Sequence, residues 1–346
     1  MARREPRASN RPVTLADVAR YAGVSTAVVS YVINDGPRPV APATAERVRE
    51  AVTRLGYRPN SHARALMSGK TGILGLIHPG TANPFFGEYS DVVYTVAAGH
   101  DTALLMASSA GDAAVERSLI DSLARRNVDG IIVMTSMTRA DVAEIRDPGI
   151  PMLFVNCPFP VPGYRSIGPD ALDGSRRIVD HLLDVHGHSS VALIAGETGD
   201  IGPDDRERGW QDALRTHRVG EAPSVRTSFS LDGGYDAARQ LLRRTDRPTA
   251  IFTSSDQLAY GALHAIHDHG LRIPEDVAVV GFDGTAESAH TWPPLTLVRQ
   301  PLETMATVAV ENMLGSLPRL HTLYEMTMII RRSCGCAPDL DRQVIA

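Results

Sequence analysis

The sequence predicts two parts of different fold class: an all-α head of three short helices at the N-terminus, followed by a longer α/β body. Residues 13–55 place apolar side chains at the i, i+3, i+4 spacing of amphipathic helices. From residue 71 onward, short apolar runs alternate with amphipathic stretches, as a parallel α/β fold requires. This body of 276 residues is long enough for two lobes.

The first helix is predicted to begin after Thr14, which can act as an N-cap. Asp17 follows three residues later and can complete a capping box. Val18 and Ala19 supply the inward face. The segment Ala22-Gly23-Val24 then predicts a tight turn, since glycine adopts the left-handed conformations that such turns need.

The second helix can be capped by Ser25, and its buried stripe consists of Val29, Val32 and Ile33. Its outward side chains are small or polar: Thr26, Ala27, Ser30 and Tyr31. Two short helices joined in this way form a helix-turn-helix, a motif that places its second helix against DNA base edges. The alternative is an ordinary helical hairpin inside a larger domain.

A third helix is predicted over roughly Thr44 to Leu55, and Gly56 supplies its C-terminal stop. Its apolar stripe lets the three helices share one core. Ala41, near the start, offers no side-chain cap, which should cost about 1 kcal/mol unless Thr44 caps one turn later.

Charge separates the head from the body. Residues 1–70 hold 12 of the 35 basic side chains and only 5 of the 40 acidic ones, so they carry a formal charge of +7 and the remainder carries −12. A basic module ahead of an acidic body fits a nucleic-acid contact confined to one segment. The arginines at positions 3, 4, 7 and 11 can form an arm that meets phosphates, and a merely solubilising tail is the alternative.

Seven strands are predicted in the body from apolar runs bounded by Gly, Pro or Asp. They are Ile73 to Ile77, Ala103 to Ala107, Gly130 to Met134, Met152 to Val155, Val191 to Ile194, Ala250 to Thr253 and Val277 to Gly281. Ligands of such folds bind beyond the carboxyl ends of the strands.

The chain resembles the LacI-type (LacI/GalR) family of bacterial transcriptional repressors through VTLADVARYAGVS, VIN and RVREAVTRLGYRPN, and the resemblance continues over about residues 12 to 335. It implies a body of two Rossmann-like lobes of the periplasmic sugar-binding type, with chain crossovers near 165, 297 and 325. The expected divisions are a basic arm (1–11), the helix-turn-helix domain (12–57), a hinge helix and linker (58–70), the two-lobed effector-binding and dimerisation domain (71–335) and a tail (336–346).

On this resemblance, the DNA-binding residues of the head are Thr14, Ser25, Thr26, Ala27, Ser30, Tyr31 and Asn34. Asn60, Ala63 and Leu66 belong to a hinge helix that lies in the minor groove, where Leu66 wedges between base steps. Without the resemblance, Leu66 is a plain linker hydrophobe. Tyr31 stands where many members have Arg, and Ala27 replaces a frequent polar reader, so the operator sequence is left open.

The resemblance also implies that the effector binds between the lobes, with Arg206 and Asp283 as its main contacts. Their chemistry fits this role, because a guanidinium donates to hydroxyls and a carboxylate accepts from them. A surface salt bridge is the alternative role of Arg206. Weaker candidates are Phe85, Phe86, Asn156, Ser255 and Asp256, and core packing is the alternative for the two phenylalanines. Asn156 stands where the family commonly has Asp.

The sequence shows little sign of metal binding or catalysis. Cys334 and Cys336 form a lone Cys-x-Cys with no second pair at zinc spacing nearby, so we expect no metal site and no cofactor besides the effector. No catalytic motif indicates an enzyme. The N-terminus has arginines but no apolar segment after them, which favours a cytoplasmic, nucleoid-associated protein without a membrane partner.

These features together predict a homodimeric repressor that binds a near-palindromic double-stranded operator and responds to a small molecule, with a sugar as the expected effector. The sign of the response stays open between induction and co-repression. A secreted sugar-binding module would have no use for residues 13–66, and a sugar-processing enzyme would need an acid/base pair in the cleft.

Overall fold

The computed structural model describes residues 11, 13–33, 36, 38–57, 69–135, 137–197, 204–315, 321–337 and 343–344. They fall into two compact units, Met1–Thr71 and Gly72–Ala346. The first unit holds the predicted head and the second holds the predicted α/β body, so both predicted fold classes are confirmed.

The head contains helices α1 (Leu15–Ala22), α2 (Thr26–Ile33) and α3 (Pro42–Leu55). The predicted capping box is present, because the backbone N–H of Thr14 donates to Asp17 Oδ2 over 3.0 Å. Gly23 ends α1 with a φ of 68°, as the predicted turn requires. The three helices enclose one small core of Val18, Ala19, Ala22, Val29, Val48 and Ala51.

The predicted start of α3 at Thr44 was wrong by half a turn. The helix begins at Pro42, with Ala41 as an N-cap that makes no side-chain hydrogen bond. Proline suits the first helical position because it lacks an N–H that would go unpaired there and its φ is already helical. Thr44 therefore lies inside the helix and does not cap it.

The first lobe of the body is a parallel six-stranded sheet with strand order β11-β5-β4-β3-β1-β2. Its strands are β1 (Ile73–His78), β2 (Ala103–Ser108), β3 (Gly130–Met134), β4 (Met152–Val155), β5 (Arg165–Pro169) and β11 (His321–Tyr324). Helices pack on both faces of this sheet. They are α4 (Pro84–Gly99), α5 (Ala113–Arg125), α6 (Arg139–Ala143) and α11 (Leu302–Leu314).

The second lobe is a seven-stranded sheet with order β13-β12-β10-β9-β8-β6-β7, in which, among the described strands, β12 pairs antiparallel with both β10 and β13 and the other pairs are parallel. Its strands are β6 (Val191–Gly196), β7 (Ser224–Thr227), β8 (Ala250–Thr253), β9 (Ala278–Asp283), β10 (Thr296–Arg299), β12 (Thr327–Ile329) and β13 (Gln343–Val344). The helices on its two faces are α7 (Ala171–Asp184), α8 (Asp205–Thr216), α9 (Leu231–Leu242) and α10 (Asp256–Asp268).

All seven predicted strands are present, and β9 runs two residues further than predicted. This difference matters because it makes Asp283 the last residue of a fully buried strand. The chain passes between the lobes three times: between β5 and α7, between β10 and α11, and between β11 and β12. The first lobe is therefore built from two separate stretches of sequence.

Candidate effector cleft and DNA-binding head

The exposed surface of α2 carries the predicted base-reading residues. Thr26 and Ala27 are exposed, whereas Ser30 and Tyr31 are half-buried. Ser25 Oγ accepts a hydrogen bond from the N–H of Val28 over 3.3 Å, so this predicted cap is confirmed. A small exposed face at the start of α2 is what a recognition helix needs, because its N-terminal residues contact base edges.

Tyr31 is partly held by the chain that follows α2. Its ring lies so close to Gly36 that a Cβ there would clash with it, and the N–H of Gly36 donates to Tyr31 O over 3.0 Å. The predicted DNA contacts Asn34, Asn60, Ala63 and Leu66 lie outside the described residues. So do residues 1–10 of the basic arm and residues 58–68 of the hinge.

Arg206 lies in the first turn of α8, near the carboxyl ends of the strands in the second lobe. Its Nη1 donates to the carbonyl of Ser254, just beyond β8, over 2.8 Å. Its Nε donates to Asp204 Oδ2 over 2.9 Å. Burial opposes the charge of this guanidinium, but the carboxylates of Asp204 and Asp283 outweigh that effect and raise the pKa of Arg206. Its carboxylate partner Asp204 is only 24 % exposed, which disfavours the alternative of a surface salt bridge.

Asp283 ends β9 and is 4 % exposed. Its φ of 106° is rare for a residue other than glycine and persists only where neighbouring contacts hold it. Gln300, directly after β10, donates from Nε2 to Asp283 Oδ1 over 2.8 Å. Burial raises the pKa of Asp283 to about 7, against the opposing effects of Arg206 and Gln300. The carboxyl group therefore titrates near neutral pH.

Asp256 and Ser255 begin α10, and their side chains serve the local backbone. Asp256 Oδ2 accepts from the N–H groups of Gly284 and Thr285 over 2.9 and 2.7 Å, and from the Thr285 hydroxyl over 2.9 Å. Ser255 Oγ accepts from the N–H of Leu258 and caps the helix. Both residues are 1 % exposed. Asp256 thereby holds the turn after Asp283, Ser255 holds the start of α10, and their contact with the effector stays a prediction.

The predicted effector contacts in the first lobe also differ in where their side chains lie. Phe85 is 2 % exposed and lies in the apolar core, so the core-packing alternative describes it. Phe86 is half-buried, meets the Phe85 ring edge to face at 5.4 Å, and stays a candidate. Asn156 follows β4 with a φ of 56°, at the carboxyl edge of the first sheet.

Sequence reasoning missed three residues of the site. Phe229 is 36 % exposed, packs across Gly196 at the end of β6, and has its ring centre 5.0 Å from the Arg206 guanidinium. Gln300 and Ser254 contact Asp283 and Arg206, as described above. Phe229 and Gln300 follow β7 and β10, two strands that were not predicted. A polar or aromatic side chain just beyond a strand is the signal that would have indicated them. It could not be used because these two strands were not predicted.

The carboxyl edges of the two sheets are joined by hydrogen bonds beside these residues. Gln257 Nε2, in the first turn of α10, donates to Ala82 O over 2.7 Å, in the loop that follows β1. The N–H of Ala286 donates to Glu88 Oε1, on α4, over 2.7 Å. Both bonds lie within three residues of Asp256 or Asp283 in sequence. The two lobes therefore meet at the predicted cleft.

The arrangement suits recognition of a polar ring compound. A guanidinium and a carboxyl group provide fixed donors and acceptors, and an exposed aromatic ring provides a stacking surface. In the part of the chain that the structure describes, no helix is long and apolar enough to span a bilayer.

Known proteins resemble the chain over nearly its whole length. The sequence profile described as "Bacterial regulatory proteins, lacI family" matches residues 14–60, and the "Periplasmic binding protein-like domain" matches residues 179–334. Catabolite control protein A of Priestia megaterium is 33% identical over 302 residues, which cover 86% of this chain and 90% of that protein. The transcriptional regulator GalS of Salmonella typhimurium is 34% identical over 327 residues, covering 92% and 96%.

The comparison with solved structures indicates the same family as these relatives. The Lac repressor dimer bound to operator and the anti-inducer ONPF matches with a TM-score of 0.85 and 27% identity, covering 94% of this chain and 99% of that one. The relatives are transcriptional regulators and not enzymes, and this chain is likewise a DNA-binding transcriptional regulator with an effector-binding body. The chain belongs to the LacI family of bacterial regulatory proteins.

Proposed function

We propose that the chain is a homodimeric repressor of carbohydrate-uptake or catabolism genes. It binds a near-palindromic operator through α2, and a sugar bound between the lobes by Arg206 and Asp283 controls its affinity for DNA. The observation that carries the proposal is the position of two side chains at the same edge of one sheet: Asp283 ends β9, and Arg206, on α8, bonds to the carbonyl just beyond the neighbouring strand β8, beside an exposed phenylalanine. Sugars offer paired hydroxyls to polar groups and an apolar face to aromatic rings, so all three side chains have a use.

Apolar side chains exposed on one edge of the first lobe support self-association. Leu105 and Met106 lie on β2, the edge strand, with exposed fractions of 40 % and 44 %, and Tyr94 on α4 is 58 % exposed. Apolar patches of this kind mark interaction sites on proteins that bury most other large hydrophobes. A two-fold dimer presents two copies of α2, which matches a palindromic operator. The structure of the Lac repressor dimer bound to operator supports the same assembly.

The DNA contacts of this proposal are the predicted set. Thr26, Ala27 and Tyr31 read base edges or phosphates in the major groove, and Leu66 inserts into the minor groove from the hinge. An effector that changes the relative orientation of the lobes changes DNA affinity, and linkage makes the coupling reciprocal. A protein with this role acts in the cytoplasm, at the nucleoid, and needs no cofactor for the switch itself.

Selection of bound duplexes from a random pool tests the proposal. The full-length protein should enrich a near-palindromic sequence, and a panel of sugars should then release or strengthen the complex. Replacing Thr26 and Tyr31 by alanine should abolish the sequence preference but leave weak, salt-dependent binding, because phosphate contacts carry no sequence information. Failure of the full-length dimer to enrich any duplex would refute DNA control, and the absence of any response to the panel would refute a sugar effector.

A further inference from the structure

Two histidines and two cysteines that are far apart in sequence meet at one point of the second lobe. His181 lies in the last turn of α7 and His186 two residues beyond its end, while Cys334 and Cys336 lie after β12, about 150 residues later. One ligand atom from each of the four lies within 4.8 Å of all the others. The fold therefore brings a pair of histidines next to the two cysteines, although the two pairs are far apart in sequence.

Three of these atoms, from His181, His186 and Cys336, are spaced like the corners of a small coordination tetrahedron. Zinc bonds of about 2.0–2.1 Å to nitrogen and about 2.3 Å to sulfur give tetrahedral edges of roughly 3.3 Å between nitrogens and roughly 3.6 Å between nitrogen and sulfur. His181 Nε2 and His186 Nε2 lie 3.3 Å apart. Cys336 Sγ lies 3.6 Å from the first of these nitrogens and 3.4 Å from the second. Each of these three edges is close to the value that zinc requires.

The surrounding backbone holds the four groups in place. Gly335 has a φ of 108°, and a Cβ at this position would lie only 3.1 Å from His186 Nδ1, so another residue here would strain the backbone and crowd the imidazole. Cys334 is 1 % exposed, and the hydroxyl of Thr296 donates to its sulfur over 3.1 Å. Hydrogen bonds to a ligand sulfur are the usual outer support of a thiolate that binds a metal.

We propose that His181, His186, Cys334 and Cys336 form a zinc site. Four protein ligands fill a tetrahedral zinc ion, which leaves no position for a substrate, so the site is structural. The mixed nitrogen and sulfur donors favour zinc over magnesium or calcium, which prefer oxygen. The ion fastens the segment after β12 to the C-terminal end of α7. This assignment is independent of the effector and of DNA.

Metal analysis of the full-length protein tests the site. Protein produced with zinc and purified in a mild reductant should contain one zinc per chain. Cobalt substituted for zinc should give the intense visible d–d bands of a tetrahedral ion and a thiolate-to-cobalt charge-transfer band. Zinc-free wild-type protein with reduced thiols that fails to bind cobalt stoichiometrically, or binds it with an octahedral spectrum, would overturn the proposal, and this result does not depend on any variant folding.

Variants locate the ligands. Cys336→Ser and His181→Asn should each lose bound zinc to background levels, and a chelator should lower the Tm of the wild type but not of these variants. His188→Gln is the matched histidine control, because His188 Nδ1 bonds to Thr249 Oγ1 at 2.9 Å and is outside the set. Cys157→Ser is the thiol control. Retention of one zinc by the Cys336→Ser and His181→Asn double variant would show that the ion sits elsewhere.

Discussion

Gln257 donates a hydrogen bond from Nε2 to the carbonyl oxygen of Ala82 over 2.7 Å and thereby joins the second lobe to the first. The donor is adjacent to Asp256, whose carboxylate holds the turn after Asp283. A hydrogen bond between the lobes therefore lies one residue away from Asp256, which holds the turn after Asp283. A change in the relative position of the lobes would therefore disturb a residue next to the candidate site.

Replacing Gln257 by alanine should weaken effector binding by roughly two- to tenfold, because one hydrogen bond contributes about 0.5–1.5 kcal/mol to the arrangement that brings both cleft walls together. Titration calorimetry measures the change. Gln211→Ala is the control, since its amide bonds to Glu207 within α8 and not across the lobes. Equal effects of the two variants would contradict this role of Gln257.

Arg206→Ala should weaken effector binding by roughly ten- to a hundredfold, since hydrogen bonds from a charged group contribute about 1.5–3 kcal/mol each. Operator affinity without effector should stay unchanged. Arg208→Ala is a closely matched control: Arg208 lies on the same helix, is 56% exposed, and pairs with Asp205 over 3.2 Å. Effector titrations read by DNA release compare the two, and a similar loss in both would argue against a specific role for Arg206.

Effector affinity should fall as the pH is lowered through about 7, where burial places the pKa of Asp283. The sign follows because the ionised carboxylate accepts hydroxyl hydrogen bonds on both oxygens and more strongly than the neutral acid, so binding favours the ionised form and the protonated protein releases a proton on binding. Each pH unit below the pKa then weakens binding by up to about tenfold. Asp283→Asn should bind more weakly at high pH and show no such dependence. Parallel profiles for the wild type and this variant would assign the titration to another group.

Ala41→Ser should stabilise α3 by about 1 kcal/mol, because a serine hydroxyl at the N-cap can accept a backbone N–H that alanine leaves without a side-chain partner. Native-state hydrogen exchange of the amides of α3 measures the opening free energy. Ala43→Ser changes the first turn of the same helix without offering a cap, so it should give no gain. Equal protection in the two variants would be inconsistent with a capping effect.

Introducing arginine at Leu105 and Met106 should convert the dimer to monomers, because it places charge on the exposed edge strand that we assign to self-association. Sedimentation velocity measures the state, and operator affinity should fall since one head then binds one half-site. Leu231→Arg, at an exposed apolar position of the second lobe, is the control. A dimer that survives the double substitution would place the interface elsewhere.

The sequence predicted most of the architecture because a strand that is buried on both faces of a sheet has a recognisable, continuously apolar sequence. Central strands such as β3 and β8 are continuous apolar runs and were found with their exact limits. Strands such as β7 and β11 contain polar residues and lie at the sheet edges, where one face or one side meets water. Local pattern alone does not distinguish these from loops.

In the site, too, some residues could be predicted from the sequence, whereas others are recognised only in the folded structure. Both Arg206 and Asp283 were found through the resemblance, and Asp283 also follows an apolar run that predicts a buried strand. Gln300 follows a strand that was not predicted, so its bond to Asp283 could not be foreseen. The histidine and cysteine cluster depends on α7 packing beside the segment after β12. Only the folded topology brings those two stretches together.

The threefold passage of the chain between the lobes has a consequence for biosynthesis. The head is a contiguous compact segment that leaves the ribosome before the body and can fold once α3 has emerged. The first lobe, in contrast, lacks α11 and β11 until residue 324 has been synthesised, long after β1 to β5. A nascent chain therefore carries a finished head on an unfinished body, and premature termination before α11 would leave neither a complete lobe nor the surface of Met305 and Ala309 that covers the first sheet.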